Sequence, residues 1–177
     1  QDAKDAFKDT DQDGYLNWEE FLLKTDPTLA DGTAQLVFTD KPATLIPGRV
    51  SRFTVQYSTV DENPNLSGLS LRVHYNSNYV TSVLLENVFE TGFVAVSEPE
   101  ADTFDLDGDE ETDQFILISW ASFSDPAWPG EIPKDLFDVV ITTTENVADL
   151  DFYPIRFSIA ASSEGYTVSA PSVYNPV

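Results

Sequence analysis

The stretch best equipped for chemistry is Asp9-Thr-Asp-Gln-Asp-Gly-Tyr-Leu-Asn-Trp-Glu-Glu20. Counting Asp9 as position 1, carboxylates stand at positions 1, 3, 5 and 12 and Asn17 at 9. Gly14 falls at position 6, where the chain must turn too sharply to carry a side chain. Alternate acidic residues on such a turn aim their oxygens at one point, an arrangement suited to a hard cation. Calcium takes about six to eight oxygens at roughly 2.3–2.6 Å. Asp9, Asp11 and Asp13 would each give one oxygen and Tyr15 its backbone carbonyl. Asn17 would act directly or through water, and Glu20 would close the site with both carboxylate oxygens.

The flanks define what must hold this loop. Asp5–Lys8 is too short for a long entering helix, whereas Trp18–Lys24 is predicted as a short helix, with Trp18, Phe21 and Leu22 at i, i+3 and i+4. Thr25-Asp26-Pro27 stops it. With no second such loop following, the segment resembles a lone EF-hand. The run Asp9–Gly32, with "DxDxDG", a glutamate pair and "TDP", also resembles the thrombospondin type 3-like calcium repeats of bacterial secreted proteins, and one half of a dockerin. That resemblance implies two further aspartate ligands, Asp26 and Asp31. Trp18, Phe21, Leu22 and Leu23 form more apolar surface than one short helix buries alone, so the segment is expected to dock on the remaining chain.

A second concentration of oxygens lies in Glu98–Asp113, where Asp105, Asp107, Asp109, Glu111 and Asp113 stand at alternate positions. Gly108 does not occupy the turning position of the first loop, and the place of its closing glutamate falls on Ile116. A second calcium site and a solvated run of charge are both open readings. Catalysis has few candidates. His74, the one histidine, alternates onto the polar face of a strand and is expected at the surface. No nucleophile elbow, histidine metal motif or phosphate loop is present. Trp120 is expected in the core, whereas Trp128, in the loop "SDPAWPGEIP", is the candidate exposed aromatic for stacking on a sugar.

Composition bounds the partners. With 9 basic against 31 acidic residues the formal charge is −22, which argues against nucleic acid or an anionic membrane. There is no Cys, hence no disulfide framework, and no apolar run long enough to be inserted in a membrane. The absence of Met, at the start included, points to a processed or excised fragment. Export with calcium in place of disulfides fits these facts.

From Gln35 onward the chain reads as short alternating runs between turn residues. Strands are expected at Gln35–Thr39, Val50–Thr59, Leu69–Tyr75, Tyr79–Phe89, Phe115–Phe123, Leu136–Thr144, Asp151–Ala160 and Tyr166–Ser169. Phe115–Phe123 is apolar on both faces, and Asp61–Gly68 is expected as a loop. Eight or nine such strands predict a mainly β fold, an antiparallel β-sandwich or jelly roll, over 35–177, preceded by the helical calcium-binding segment at 1–34. The segments "PGRVSRFTVQY", "LSGLSLRVHYNSNYVTSVLLENV", "FILISWASF" and "LFDVVITTT" resemble successive strands of a cohesin domain. The resemblance implies a nine-stranded jelly roll, no catalysis, and a protein partner, dockerin-like or a surface protein, on one sheet face. It also implies a secreted or cell-surface location in a bacterium or archaeon. A calcium-stabilised carbohydrate-binding module, with a polysaccharide as partner, is the alternative.

Replacing Glu20 with Ala removes two oxygens from the loop. Calorimetry should show a sharp loss of calcium affinity while the far-UV spectrum of the sandwich is retained; unchanged affinity would remove Glu20 from the ligand set.

Overall fold

Alternating apolar and polar residues make strands with one face dry and one wet, and two curled sheets result. The computed structural model describes residues 5–8, 10, 16–23, 27–28, 34–40, 45–123, 127–146 and 155–170. The strands are β1 (Ala34–Thr39), β2 (Val50–Thr59), β3 (Asn65–Leu66), β4 (Gly68–Tyr75), β5 (Val80–Glu86) and β6 (Phe93–Val96). They continue with β7 (Glu100–Ala101), β8 (Gln114–Ala121), β9 (Trp128–Pro129), β10 (Lys134–Thr143), β11 (Ile155–Ala161) and β12 (Thr167–Ser169). The first sheet has the order β12-β1-β2-β10-β5, and the second β11-β4-β8-β6, with β7 also paired to β8. Only the β1–β12 pairing is parallel among the described strands.

The dry faces meet in one core. Phe53, Val55 and Tyr57 of β2 and Phe137, Val139 and Ile141 of β10 pack with Leu69, Leu71 and Val73 of β4 and Ile116, Ile118 and Trp120 of β8. At one end the sheets are also joined by hydrogen bonds. Gln35 of β1 is buried; its Nε2 donates to Tyr57 Oη at 2.8 Å and to the Gly68 carbonyl at 3.0 Å. Its Oε1 accepts from the Ser163 N–H at 2.9 Å, and Ser163 Oγ donates in turn to the Gly68 carbonyl at 3.0 Å. Gly68 begins β4 at φ +137°, and a Cβ there would lie 2.0 Å from the Trp120 carbonyl oxygen, so the close crossing of β4 and β8 requires glycine.

Several expectations need amendment. The loop expected at Asp61–Gly68 contains β3, which pairs with β9 through Leu66 and Trp128. That pairing folds the proline-rich segment inward, and Trp128 is buried rather than exposed, with its ring edge-on to Tyr57 at 4.5 Å and 5.7 Å from Trp120. Trp120 is in the core as expected. Of Phe115–Phe123, Leu117 and Ser119 are only half-buried, because no layer of the described residues covers that part of the second sheet's outer side. At the N-terminal end the described elements are a three-residue 3-10 turn, Asp5–Phe7, and the seven-residue helix α1, Asn17–Leu23. No helix–loop–helix of an EF-hand is seen among the described residues. Phe21 is 79% exposed and Trp18 40%; the Leu22 and Leu23 side chains lie outside the described set.

Gln35→Leu would strand the Tyr57 hydroxyl and the Ser163 N–H in the core. Urea denaturation should show a loss of about 2–4 kcal/mol; a loss below about 0.5 kcal/mol, the range of an ordinary surface substitution, would show that the buried amide does not join the sheets.

Candidate metal centre

Alternation along β4 sends Ser70, Arg72 and His74 away from the core. In the sheet register His74 stands between Phe115 of β8 and Arg156 of β11. The insert following β6 folds back over this corner. It is anchored there by Asn76, whose Nδ2 donates to the Glu111 carbonyl, and by Ser77, whose N–H and Oγ donate to the Asp113 carboxylate at 2.7 and 2.6 Å. The Asp102 N–H donates to the Asp113 carbonyl at 2.9 Å and closes the insert's neck. Asp105 and Gly108, at φ +52° and +72°, take left-handed conformations that tighten its tip.

His74 is therefore fully buried, contrary to the surface position expected. Strand alternation placed it correctly on the outer side, but the insert roofs it over. Its Nδ1 lies 2.9 Å from Asp102 Oδ2 and 3.9 Å from Asp107 Oδ1, with both carboxylates 0–1% exposed. Its Nε2 meets Ser158 Oγ at 2.7 Å. Burial pushes the imidazolium of His74 down; Asp107 and Asp102 pull the other way, Arg72 adds to the lowering, and the net direction is down. The backbone N–H of Leu106 donates to both Asp102 oxygens, at 3.2 and 3.1 Å. Asp107 Oδ2 accepts from Thr112 Oγ1 at 2.7 Å and lies 3.5 Å from Arg156 Nε. Arg156 Nη1 pairs with Asp109.

The ligand atoms of His74, Asp102 and Asp107 all lie within 4.8 Å of one another, close enough to share one metal ion. Two carboxylates at that separation repel by about 3–4 kcal/mol at an effective dielectric constant of about 20. Arg156 offsets part of this.

Of the acidic residues singled out in the insert, only Asp107 joins this cluster. Asp109 turns to Arg156 and Asp113 to Ser77, while Asp105 and Glu111 are exposed. Asp102 was not singled out, and His74 was weighed only as a surface residue, not as a ligand. The signal for them is the strand register, which puts His74 beside Arg156, and the neck of the insert, which puts Asp102 above it.

At the other candidate site, Asp9, Asp11, Asp13, Tyr15, Asp26 and Asp31 lie outside the described residues. The Asn17 N–H donates to the Lys8 carbonyl at 2.8 Å, which brings the loop's ends together. Asn17 Oδ1 accepts from the Thr10 N–H and Oγ1 at 3.3 and 2.9 Å. Glu20 is fully buried.

No family model matches this chain, and no curated protein matches it.

Arg156→Met would leave Asp107 and Asp109 without their cation. The variant should lose about 2–4 kcal/mol of stability, less than the roughly 3–5 kcal/mol of a fully buried pair because Arg156 is partly exposed. Limited proteolysis should cut the insert faster than in the parent; equal rates would show that Arg156 does not hold it.

Proposed function

We propose that this protein is a non-catalytic binding module, stabilised by calcium and secreted or displayed on the cell surface, whose partner is a protein held on the outer face of the sheet β11-β4-β8-β6. The observation that carries this reading is the relief of that face. Ser70 of β4, Ser119 of β8 and Ala95 of β6 lie side by side across the strands, so the face has no ridge there. Half-buried Arg72 and Leu117 form the neighbouring row. Beside them Phe93 is 66% exposed, and Phe123, just past β8, is 93% exposed. A flat polar and apolar surface with aromatic anchors suits a protein partner. The insert adds an exposed acidic rim of Glu98, Glu100, Asp105 and Glu110, matching a partner with basic residues.

The cohesin-like reading draws support from the strand count. Among the described residues, nine strands of three residues or more divide five and four between the sheets, in keeping with a nine-stranded jelly roll. Calcium would be held by Asp9, Asp11, Asp13, Tyr15 and Glu20, with Asn17 acting through water; the buried Glu20 carboxylate supports this. The carbohydrate-binding alternative loses its best aromatic, because the Trp128 ring is in the core. The opposite outer face is a poorer candidate. There Arg52 pairs with Glu86 and Asp138, and Asp138 also accepts from Thr54 and Asn87, so its polar groups are engaged with one another.

A panel of dockerin modules, immobilised with calcium present and probed alongside a glycan array, tests the reading. At least one protein should bind. Ser119→Arg, which raises a bulky ridge on the flat face, should weaken it by at least about tenfold, equal to about 1.4 kcal/mol. Leu84→Asp, on the opposite outer face, should leave it unchanged, and added salt should weaken it. Glycan binding without any protein binding, or equal losses in both variants, would contradict the assignment.

A further inference from the structure

We propose that His74, Asp102 and Asp107 bind a divalent first-row transition-metal ion of the zinc class, which fastens the acidic insert to β4. Nothing in the calcium loop or the binding face requires this site.

The decisive group is the imidazole. His74 is fully buried, and its Nδ1 is 2.9 Å from Asp102 Oδ2, yet the two are not aligned as a hydrogen bond. A nitrogen and an oxygen held that close, at an angle poor for a hydrogen bond, stand as two ligands of one ion do. With metal–ligand distances of about 2.0–2.2 Å and near-tetrahedral angles, neighbouring ligand atoms are about 3.3–3.6 Å apart. The observed Nδ1 distances, 2.9 Å to Asp102 and 3.9 Å to Asp107, fall on either side of that range.

The surroundings have the form of an outer ligand shell. Nε2 meets Ser158 Oγ at 2.7 Å; as the N–H donor it leaves the Nδ1 lone pair facing the carboxylates. Leu106 N–H orients Asp102, and Thr112 Oγ1 and Arg156 hold the far oxygen of Asp107, while Oδ1, which accepts from the Asp109 N–H at 3.3 Å, keeps a second lone pair on the side of the ring. Lone pair and carboxylates then converge with no proton between them, an arrangement that a cation stabilises. A divalent ion also neutralises the two buried aspartates.

The donor set selects the kind of ion. Calcium and magnesium prefer all-oxygen sites, whereas imidazole nitrogen with carboxylate oxygen suits zinc and its neighbours. Water would complete the coordination. Asp102 and Asp107 belong to the insert and His74 to β4, so the ion bridges two parts of the chain 28 residues apart at the nearest (102 − 74).

The test uses the full 177-residue chain, which has a single histidine whose imidazole signals are therefore unambiguous. After chelator treatment the protein is titrated with zinc chloride by calorimetry in a large excess of calcium, and the imidazole nitrogens are followed by NMR. One equivalent of zinc should bind despite the calcium, shift Nδ1 and leave Nε2 little changed. Asp102→Asn and His74→Gln should each weaken binding by more than about 100-fold, beyond the roughly 10–100-fold typical of outer-shell residues. Glu20→Gln should have no effect. If His74→Gln does not fold, Asp102→Asn and Asp107→Asn, which preserve shape, decide. No zinc heat, an unmoved Nδ1, several weak equivalents displaced by calcium, or binding indifferent to these variants would each overturn the proposal.

Discussion

Carboxylates that lose their water need a positive partner, and that constraint governs this molecule more than any other. With 31 acidic and 9 basic residues, cations cannot be spread evenly. Among the described residues three of them stand where acids converge: Arg52 between Glu86 and Asp138, Arg156 between Asp107 and Asp109, Lys134 beside Glu131. Around His74 two buried aspartates share the partly exposed Arg156, and the ion proposed above would supply the remaining positive charge. The exposed pairs contribute little individually. The enclosed ones decide whether the insert can close at all.

The two sheets solve a different problem and do so with ordinary means. Their core is aliphatic and aromatic, and the buried knot of Gln35 with Tyr57, Gly68 and Ser163 is satisfied. Such a scaffold is indifferent to charge, so it leaves an outer face free to carry recognition while the acidic insert occupies the adjoining corner. Rigid scaffold, flat face and charged rim follow from separate features of the sequence.

The strands were legible because period-2 alternation is a local property. Val50–Thr59 and the Leu69–Tyr75 run coincide with β2 and, within one residue, β4. Trp128 was misplaced because proline-rich composition suggests exposure, while its burial depends on pairing with Leu66, more than sixty residues earlier. His74 shows the same limit. Alternation gave its side of the sheet, but no local pattern reveals that a loop beginning two strands later will cover it. The insert itself was recognised as rich in oxygens, yet its alternate spacing suggested one point of convergence. Instead its backbone turns divide the carboxylates among Ser77, Arg156 and His74. Short β6, the edge of the proposed binding face, went unseen because four residues carry too little periodicity.

The most direct measurement of whether a shortage of cations organises this protein is an anomalous difference map from crystals grown with zinc and calcium, collected on both sides of the zinc absorption edge. The account predicts a single strong zinc peak bounded by His74 Nδ1, Asp102 Oδ2 and Asp107 Oδ1. Density showing Nδ1–H donating directly to Asp102, with zinc absent from that corner or scattered over the exposed acids, would contradict it.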